Sequence, residues 1–254
     1  MKQEDIIKNK KGKIVMLTAY DYQMAKLLDE AGIDLILVGD SLGMVFQGKP
    51  DTKGVTMGDM IYHTRAVARG AKTTPIVGDM PINSYKTPKI ALQNAKKFLQ
   101  AGALAVKLEG NQPKIILTLR KAKIPVMGHL GLLPQTAENY RVKGKIQEEA
   151  EKILKDAKEL ENLGVFSIVL ECVPENLAKK ISRALKIPTI GIGAGKYCDG
   201  QVLVINDLLG MQENFKPKHT KRYLDLSSEI KGAVTKFKEE VKTGIFPGPE
   251  HSFH

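Results

Sequence analysis

Eight short apolar runs constrain this chain more than anything else in it. They are KIVMLTAY (13–20), DLILVGD (34–40), TPIVGDMP (74–81), LAVKLEG (104–110), IPVMGHL (124–130), FSIVLEC (166–172), IPTIGIGA (187–194) and QVLVIND (201–207). A run that is apolar at nearly every residue, instead of every second one, belongs to a strand covered on both faces, as in a parallel sheet. Between the runs lie segments of 3.6-residue period, among them DYQMAKLLDEAG, PKIALQNAKKFLQAGA and QEEAEKILKDAKELENLG. Each has one apolar face and meets a glycine at or beside its end, so each reads as a helix. Eight parallel strands within about 200 residues fit a (β/α)8 TIM barrel better than an open doubly wound sheet. One unit is irregular, because Ala194 to Gln201 is too short for a full helix, and LSSEIKGAVTKFKEEVKTG is the expected closing helix. No Pro/Ser-rich linker divides the 254 residues, so a single domain over 1–254 is expected, with a short tail from about 244 to 254. The tail sequence FPGPEHSFH is too short and proline-rich for a helix and reads as a seal for a rim or an interface.

The formal charge of +11 raises the question of nucleic acid. The lysines, however, are dispersed on faces of alternating sign such as EEAEKILKDAKELENL, which describes a solvated helix surface. The chain has no Trp and only 6% aromatic residues, so no platform for stacking bases is evident. A field that gathers small anions remains a use for the charge. No stretch of about eighteen apolar residues suggests a membrane span. The start MKQEDIIKNKKGKIVML lacks the apolar run and small-residue cleavage site of a signal peptide. Cys172 and Cys198 sit in unlike contexts, which fits a reducing compartment without a disulfide framework. A cytoplasmic protein without nucleic-acid or membrane partners is expected.

Barrels of this kind carry their sites at the carboxyl ends of the strands. In order, the ends of the runs present Asp40 and Ser41, Asp79, Lys107 and Glu109, His129, and Glu171. Any one of these has a plain structural explanation, an Asp as the N-cap of the next helix or a hydrogen-bonded core histidine. Four acids and a histidine arriving from five strands are not independent caps. Four carboxylates at one mouth would repel one another, and one lysine cannot neutralise them. Oxygen donors without a Cys or His cluster point to a hard cation, Mg2+ before Ca2+, and the zinc spacings H-x-E and C-x-x-C are absent. A cation held by two Asp residues leaves positions for a 2-oxo acid to chelate through its carbonyl and carboxylate, which acidifies the neighbouring carbon. Glu171, within SIVLECVP, is placed where burial favours a carboxyl that takes a proton. Cys172 reads as filler beside a charge that disfavours its thiolate. GIGAGKYCDGQ has neither G-x-G-x-x-G nor G-K-[ST], so it reads as tight packing at the rim, with a phosphate site after strands seven and eight as the alternative.

The stretches VGDSLGMV, DMIYHTRAVARGA, VGDMP, AVKLEG, GHLGLLPQ, VLECVP, GIGAGKYCDGQVLV and FPGPEHSF together resemble the ketopantoate hydroxymethyltransferase family, from Lys13 to Phe253. The resemblance implies an Mg2+-dependent barrel that transfers the hydroxymethyl unit of 5,10-methylenetetrahydrofolate to 3-methyl-2-oxobutanoate. The product is 2-dehydropantoate, formed through a metal-stabilised enolate at the start of pantothenate and coenzyme A synthesis. It also implies that Asp40 and Asp79 bind the metal and meet the substrate, with Glu109 in the coordination shell. Ser41 and Lys107 would hold the oxo-acid carboxylate, Glu171 would remove the C3 proton, and His129 would be a further site residue. Family members form homodecamers of two pentamers. Two departures stand out: QGKPDTKGVT replaces the usual G-x-D-S-T-x-x-V-T run, and Ile82 replaces a common aromatic. A Mg2+-dependent lyase or mutase of the isocitrate lyase type would carry K-K-C-G-H, which is absent here. A non-catalytic barrel binding anions or RNA would leave the acid cluster without a purpose.

Overall fold

The structure, a computed structural model, describes residues 12–212 and 217–253. Each apolar run contributes one strand, shorter than the run. They are β1 (Ile14–Thr18), β2 (Leu35–Val38), β3 (Ile76–Asp79), β4 (Ala105–Glu109), β5 (Val126–Gly131), β6 (Ser167–Glu171), β7 (Thr189–Ile192) and β8 (Gly200–Leu203). Every strand pairs with its sequence neighbours, β8 pairs in parallel with β1, and the sheet is a closed barrel. Helices α1 (Tyr22–Glu30), α2 (Leu42–Val45), α3 (Met57–Gly70), α4 (Pro88–Gln100), α5 (Pro113–Lys121), α6 (Gln147–Asn162) and α7 (Glu175–Ala184) connect the strands as far as β7. The chain is thus a (β/α)8 barrel, with no helix between β7 and β8.

Strands β2, β3 and β4 are buried at every residue, as continuous apolar runs require. β1 and β8 depart from that expectation. Their burial alternates, and outward-facing Val15 is 48% exposed opposite exposed Gln201, on the seam next to the helix-free β7–β8 connection. Inside the barrel, Met16, Leu35, Leu37, Val77, Ala105, Met127, Val169 and Ile190 belong to one cluster. Because side chains alternate across a strand, the next inward positions after Val77, Ala105, Met127 and Val169 are Asp79, Lys107 then Glu109, His129, and Glu171. The site is therefore the top layer of the core itself. On the outer face, glycines let helices come close: a Cβ on Gly78 would lie 2.3 Å from the Phe98 ring of α4, and one on Gly128 would lie 2.9 Å from Leu160 of α6.

Local chemistry sets the helix starts. Asp21 accepts from the Met24 amide at 2.8 Å to cap α1, and Thr56 and Asp59 form a reciprocal capping box at the start of α3.

The barrel strands lie in a compact unit that ends at Val204, and Ile205 opens a second compact unit. The eighth apolar run is therefore only half strand: its end, Ile205 to Asp207, belongs to the one-turn helix α8 (Ile205–Leu208). The second unit also holds α9 (Leu226–Lys242), where the closing helix was expected, and the tail. Against expectation the tail contains a 3-10 turn, Pro249–His251. Phe246 bridges that turn to α9, its ring centroid 5.1 Å from His251 and 5.3 Å from Phe237.

Candidate active site

The barrel register brings the strand-end side chains together. Asp79 is the cross-strand partner of Lys107, Glu109 of His129, and Gly131 of Glu171. Lys107 Nζ donates to both oxygens of Asp79 at 2.8 Å. His129 Nε2 lies 3.2 Å from Glu171 Oε2, and its Nδ1 lies 3.6 Å from Glu109 Oε1. Neither ring nitrogen has a hydrogen-bond partner, although both are buried. Asp40 follows β2, and its Oδ2 accepts from Gln135 Nε2 at 2.8 Å. Ser41 is the N-cap of α2 by position but makes no side-chain capping bond; its hydroxyl is 2.8 Å from the Tyr20 hydroxyl. Asp40 and Ser41 are thus turned to the mouth of the barrel and not used in starting the next helix.

The charges are out of balance. Asp40, Asp79, Lys107, Glu109 and His129 are each at most 6% exposed. Burial, then the adjacent Asp79, pushes the Asp40 carboxyl up to about 7. Burial pushes Glu109 up to about 9, against the pull of Lys107 and with the help of Asp40, Asp79 and Glu171. Burial would weaken Lys107 as a base, but Asp79, Asp40 and Glu109 overcome it and hold the ammonium firmly charged. Burial, reinforced by Lys107, lowers His129 and keeps its imidazole neutral. Glu171 opens further to solvent, with its side chain 18% exposed, so the deep burial expected at the base falls on Asp40 and Glu109 instead. Cys172, at φ 48°, is pushed up to about 11 by burial and then by Glu171, so it is no thiolate nucleophile.

Among the described residues, no group of three or more His, Cys, Asp or Glu forms a ready cage for an ion. What the site offers a hard cation is different: carboxyl oxygens on adjacent strand ends that outnumber the one ammonium among them, including those of the Asp40 and Glu109 carboxyls, whose charge a cation would favour. Two Asp ligands with water and substrate completing the shell is an arrangement that suits Mg2+.

Three further residues join the site that sequence reasoning did not single out. Tyr20 ends the first apolar run, so the rule that marked the other strand ends would have found it. Tyr85 and Gln135 come from connections, where no strand alternation marks them. Gln135 links Asp40 to the carbonyl of Met80, and its backbone amide donates to Glu109 at 3.2 Å. The departing loop after α2 packs back on that helix, since a Cβ on Gly43 would lie 2.6 Å from Val55. Beside the mouth, a cavity of about 770 Å3 is lined by Gly110, directly after Glu109, by Leu130 and Gly131 after His129, and by Arg141, Lys143 and Lys152.

Carboxylates, an ammonium and an imidazole converging from β2 to β6 on the carboxyl end of a closed parallel barrel define a (β/α)8-barrel enzyme. The family model described as Ketopantoate hydroxymethyltransferase matches residues 1–249, and the chain belongs to that family. It is 55% identical over 252 residues to the 3-methyl-2-oxobutanoate hydroxymethyltransferase of Caldicellulosiruptor saccharolyticus, covering 97% of this chain and 96% of that one. It is 54% identical over 248 residues to the enzyme of the same name from Enterococcus faecalis, covering 95% and 90%. Among solved structures, phosphonopyruvate hydrolase superposes with a TM-score of 0.66 at 12% identity, covering 100% of this chain and 92% of the other. For 2,3-dimethylmalate lyase the TM-score is 0.63 at 14% identity, covering 98% and 90%. At those identities the likeness is one of fold.

Proposed function

We propose that this chain transfers a hydroxymethyl unit from 5,10-methylenetetrahydrofolate to 3-methyl-2-oxobutanoate, giving 2-dehydropantoate for pantothenate and coenzyme A synthesis. The observation that carries the reading is the buried, charge-imbalanced cluster of Asp40, Asp79, Lys107, Glu109 and His129 with Glu171 at its open side, in a chain of this family. Mg2+ held by Asp40 and Asp79, with Glu109 beside them, would supply the positive charge that makes C3 of the oxo acid acidic. Glu171 takes the C3 proton, its carboxylate turned to the mouth while His129 stands behind it, neutral and adding no charge. Lys107, anchored on Asp79, keeps an N–H for the substrate carboxylate, and the Ser41 hydroxyl steadied by Tyr20 is a second donor. C3 then bonds to the folate-borne one-carbon unit, both bonds from that carbon to folate nitrogens break, one water supplies the hydroxyl oxygen, and tetrahydrofolate leaves with two protons, one lost from C3 and one from the water.

The 770 Å3 cavity beside the mouth is within the range of small-ligand sites; its Arg141 and Lys152 are paired with Glu149 and Asp156, and its mixed polar lining suits a polar co-substrate. By the same family resemblance, the reading extends to a cytoplasmic homodecamer without nucleic-acid or membrane partners; no helix among the described residues is long and apolar enough to cross a membrane. Purified protein with Mg2+ is expected to form 2-dehydropantoate only when the folate is present. Carbon–carbon cleavage of an oxo acid or a dicarboxylate without folate would favour a lyase instead.

A further inference from the structure

Gln135 occupies an unusual place in the β5–α6 connection. It is 0% exposed, and all of its side-chain polar atoms are engaged. Its Nε2 donates to Asp40 Oδ2 at 2.8 Å and to the Met80 carbonyl at 2.9 Å, its Oε1 accepts from the Tyr85 hydroxyl at 2.5 Å, and its backbone amide donates to Glu109 Oε2 at 3.2 Å. One residue thereby ties together the chain leaving β2, the chain leaving β3, and the end of β4.

Two features make this more than packing. An amide can be turned end for end at little cost to its shape, so something must choose which end faces Asp40. The Met80 carbonyl, which only accepts, and the phenol proton of Tyr85 together force Nε2 toward Asp40 and Oε1 toward Tyr85. The second feature is charge. Lys107 already gives its ammonium to Asp79, and a second ammonium beside Asp40 would neutralise that carboxylate and compete with any cation. A glutamine holds the carboxylate oxygen without adding charge. Its bond occupies Oδ2, and among the described residues no hydrogen bond falls on Oδ1 of Asp40.

We propose that Gln135, locked in orientation by Tyr85, is the positioning residue that holds Asp40 by Oδ2 and presents Oδ1 to a divalent cation, while its backbone holds Glu109 alongside. This rests on the reading of Asp40 as a cation ligand.

The test uses Mn2+ binding to the full chain, read as loss of the free-ion EPR signal, so it needs no turnover. Gln135→Met keeps the backbone amide and similar volume but removes the donor, and is expected to weaken Mn2+ binding by about 10- to 100-fold. Tyr85→Phe, which lets the amide turn, is expected to weaken it in the same direction by less. The double variant should bind no more weakly than Gln135→Met alone, because Tyr85 acts through Gln135. Wild-type affinity in Gln135→Met, or losses that simply add in the double variant, would overturn the proposal. If Gln135→Met does not fold, unchanged affinity in Tyr85→Phe overturns it and weakened affinity supports it. If the wild-type chain itself binds no Mn2+, the cation reading and this inference fall together; if it binds and both single variants bind equally well, this inference alone falls.

Discussion

Asp79 and Asp40 are both buried carboxylates a hydrogen bond from a neighbour, yet their neighbours differ in charge. Asp79 has the Lys107 ammonium on both oxygens, whereas the hydrogen bond to Asp40 Oδ2 comes from the neutral Gln135 amide. Removing one partner of a buried pair leaves the other uncompensated. Lys107→Met is therefore expected to cost about 3 to 5 kcal/mol in chemical denaturation of the metal-free protein. Added Mg2+ should recover part of that loss, since a cation can take the ammonium's place beside Asp79. At this scale the residues legible in the sequence were those at strand ends, where an apolar run stops on a charged residue. Gln135 and Tyr85 were not legible, because a glutamine after a proline and a tyrosine in a turn have no alternation to show which way they face. The exposure of Glu171 was also hidden, since the run before it is buried through Leu170 and only its own side chain, at the last residue of β6, reaches solvent.

At the scale of elements, the same alternation that fills the barrel also aims the site, so disturbing a strand's outer face should damage the chemistry from behind. Gly78→Ala puts a methyl against Phe98 and is expected to destabilise the fold by about 1 to 3 kcal/mol, measured by urea unfolding. Gly131, at φ 98°, lies where a Cβ would come within 2.2 Å of the Glu171 carbonyl, so Gly131→Ala is expected to lower kcat by displacing the end of β6. A third prediction at this scale concerns the α3–β3 connection. Asp29, near the end of α1, accepts from the backbone amides of Lys72, Thr73 and Thr74 and from the Thr73 hydroxyl. Burial alone would raise its carboxyl, but these bonds prevail and hold it far below the usual carboxylate range. A depressed folded-state value contributes stability above the unfolded value of about 4, and that contribution is lost as pH falls below it. Asp29→Asn should accordingly flatten the loss of thermal stability between about pH 5 and pH 2. Helices α1, α4 and α6 were readable from their period and the glycine at or beside their ends; the alternating burial of β1 and β8 was not, because a run such as KIVMLTAY is apolar whether or not a helix covers its outer face.

For the whole molecule, the barrel followed from the number and spacing of the apolar runs, and the structure closes it in the order they occur. The break at Ile205 was not foreseeable, since QVLVIND continues its apolar pattern across the step from strand to helical turn. On the proposed function, the charge of +11 carries a prediction at this scale. The KM for a polyanionic folate should rise with salt more steeply than the KM for the singly charged oxo acid, because screening acts on each charge of the ligand. The proposed function turns on one chemical event, removal of a proton beside a carbonyl. Its most direct measurement follows the C3 proton of 3-methyl-2-oxobutanoate by NMR in D2O with Mg2+, without folate, for the wild-type chain and for Glu171→Gln. The wild-type chain is expected to exchange that proton only when the cation is present, and Glu171→Gln to exchange it at least about 100-fold more slowly while remaining folded. A folded, Mg2+-loaded wild-type chain that leaves the C3 proton in place, with folate or without it, or a Glu171→Gln variant that exchanges it at the wild-type rate, would contradict that assignment.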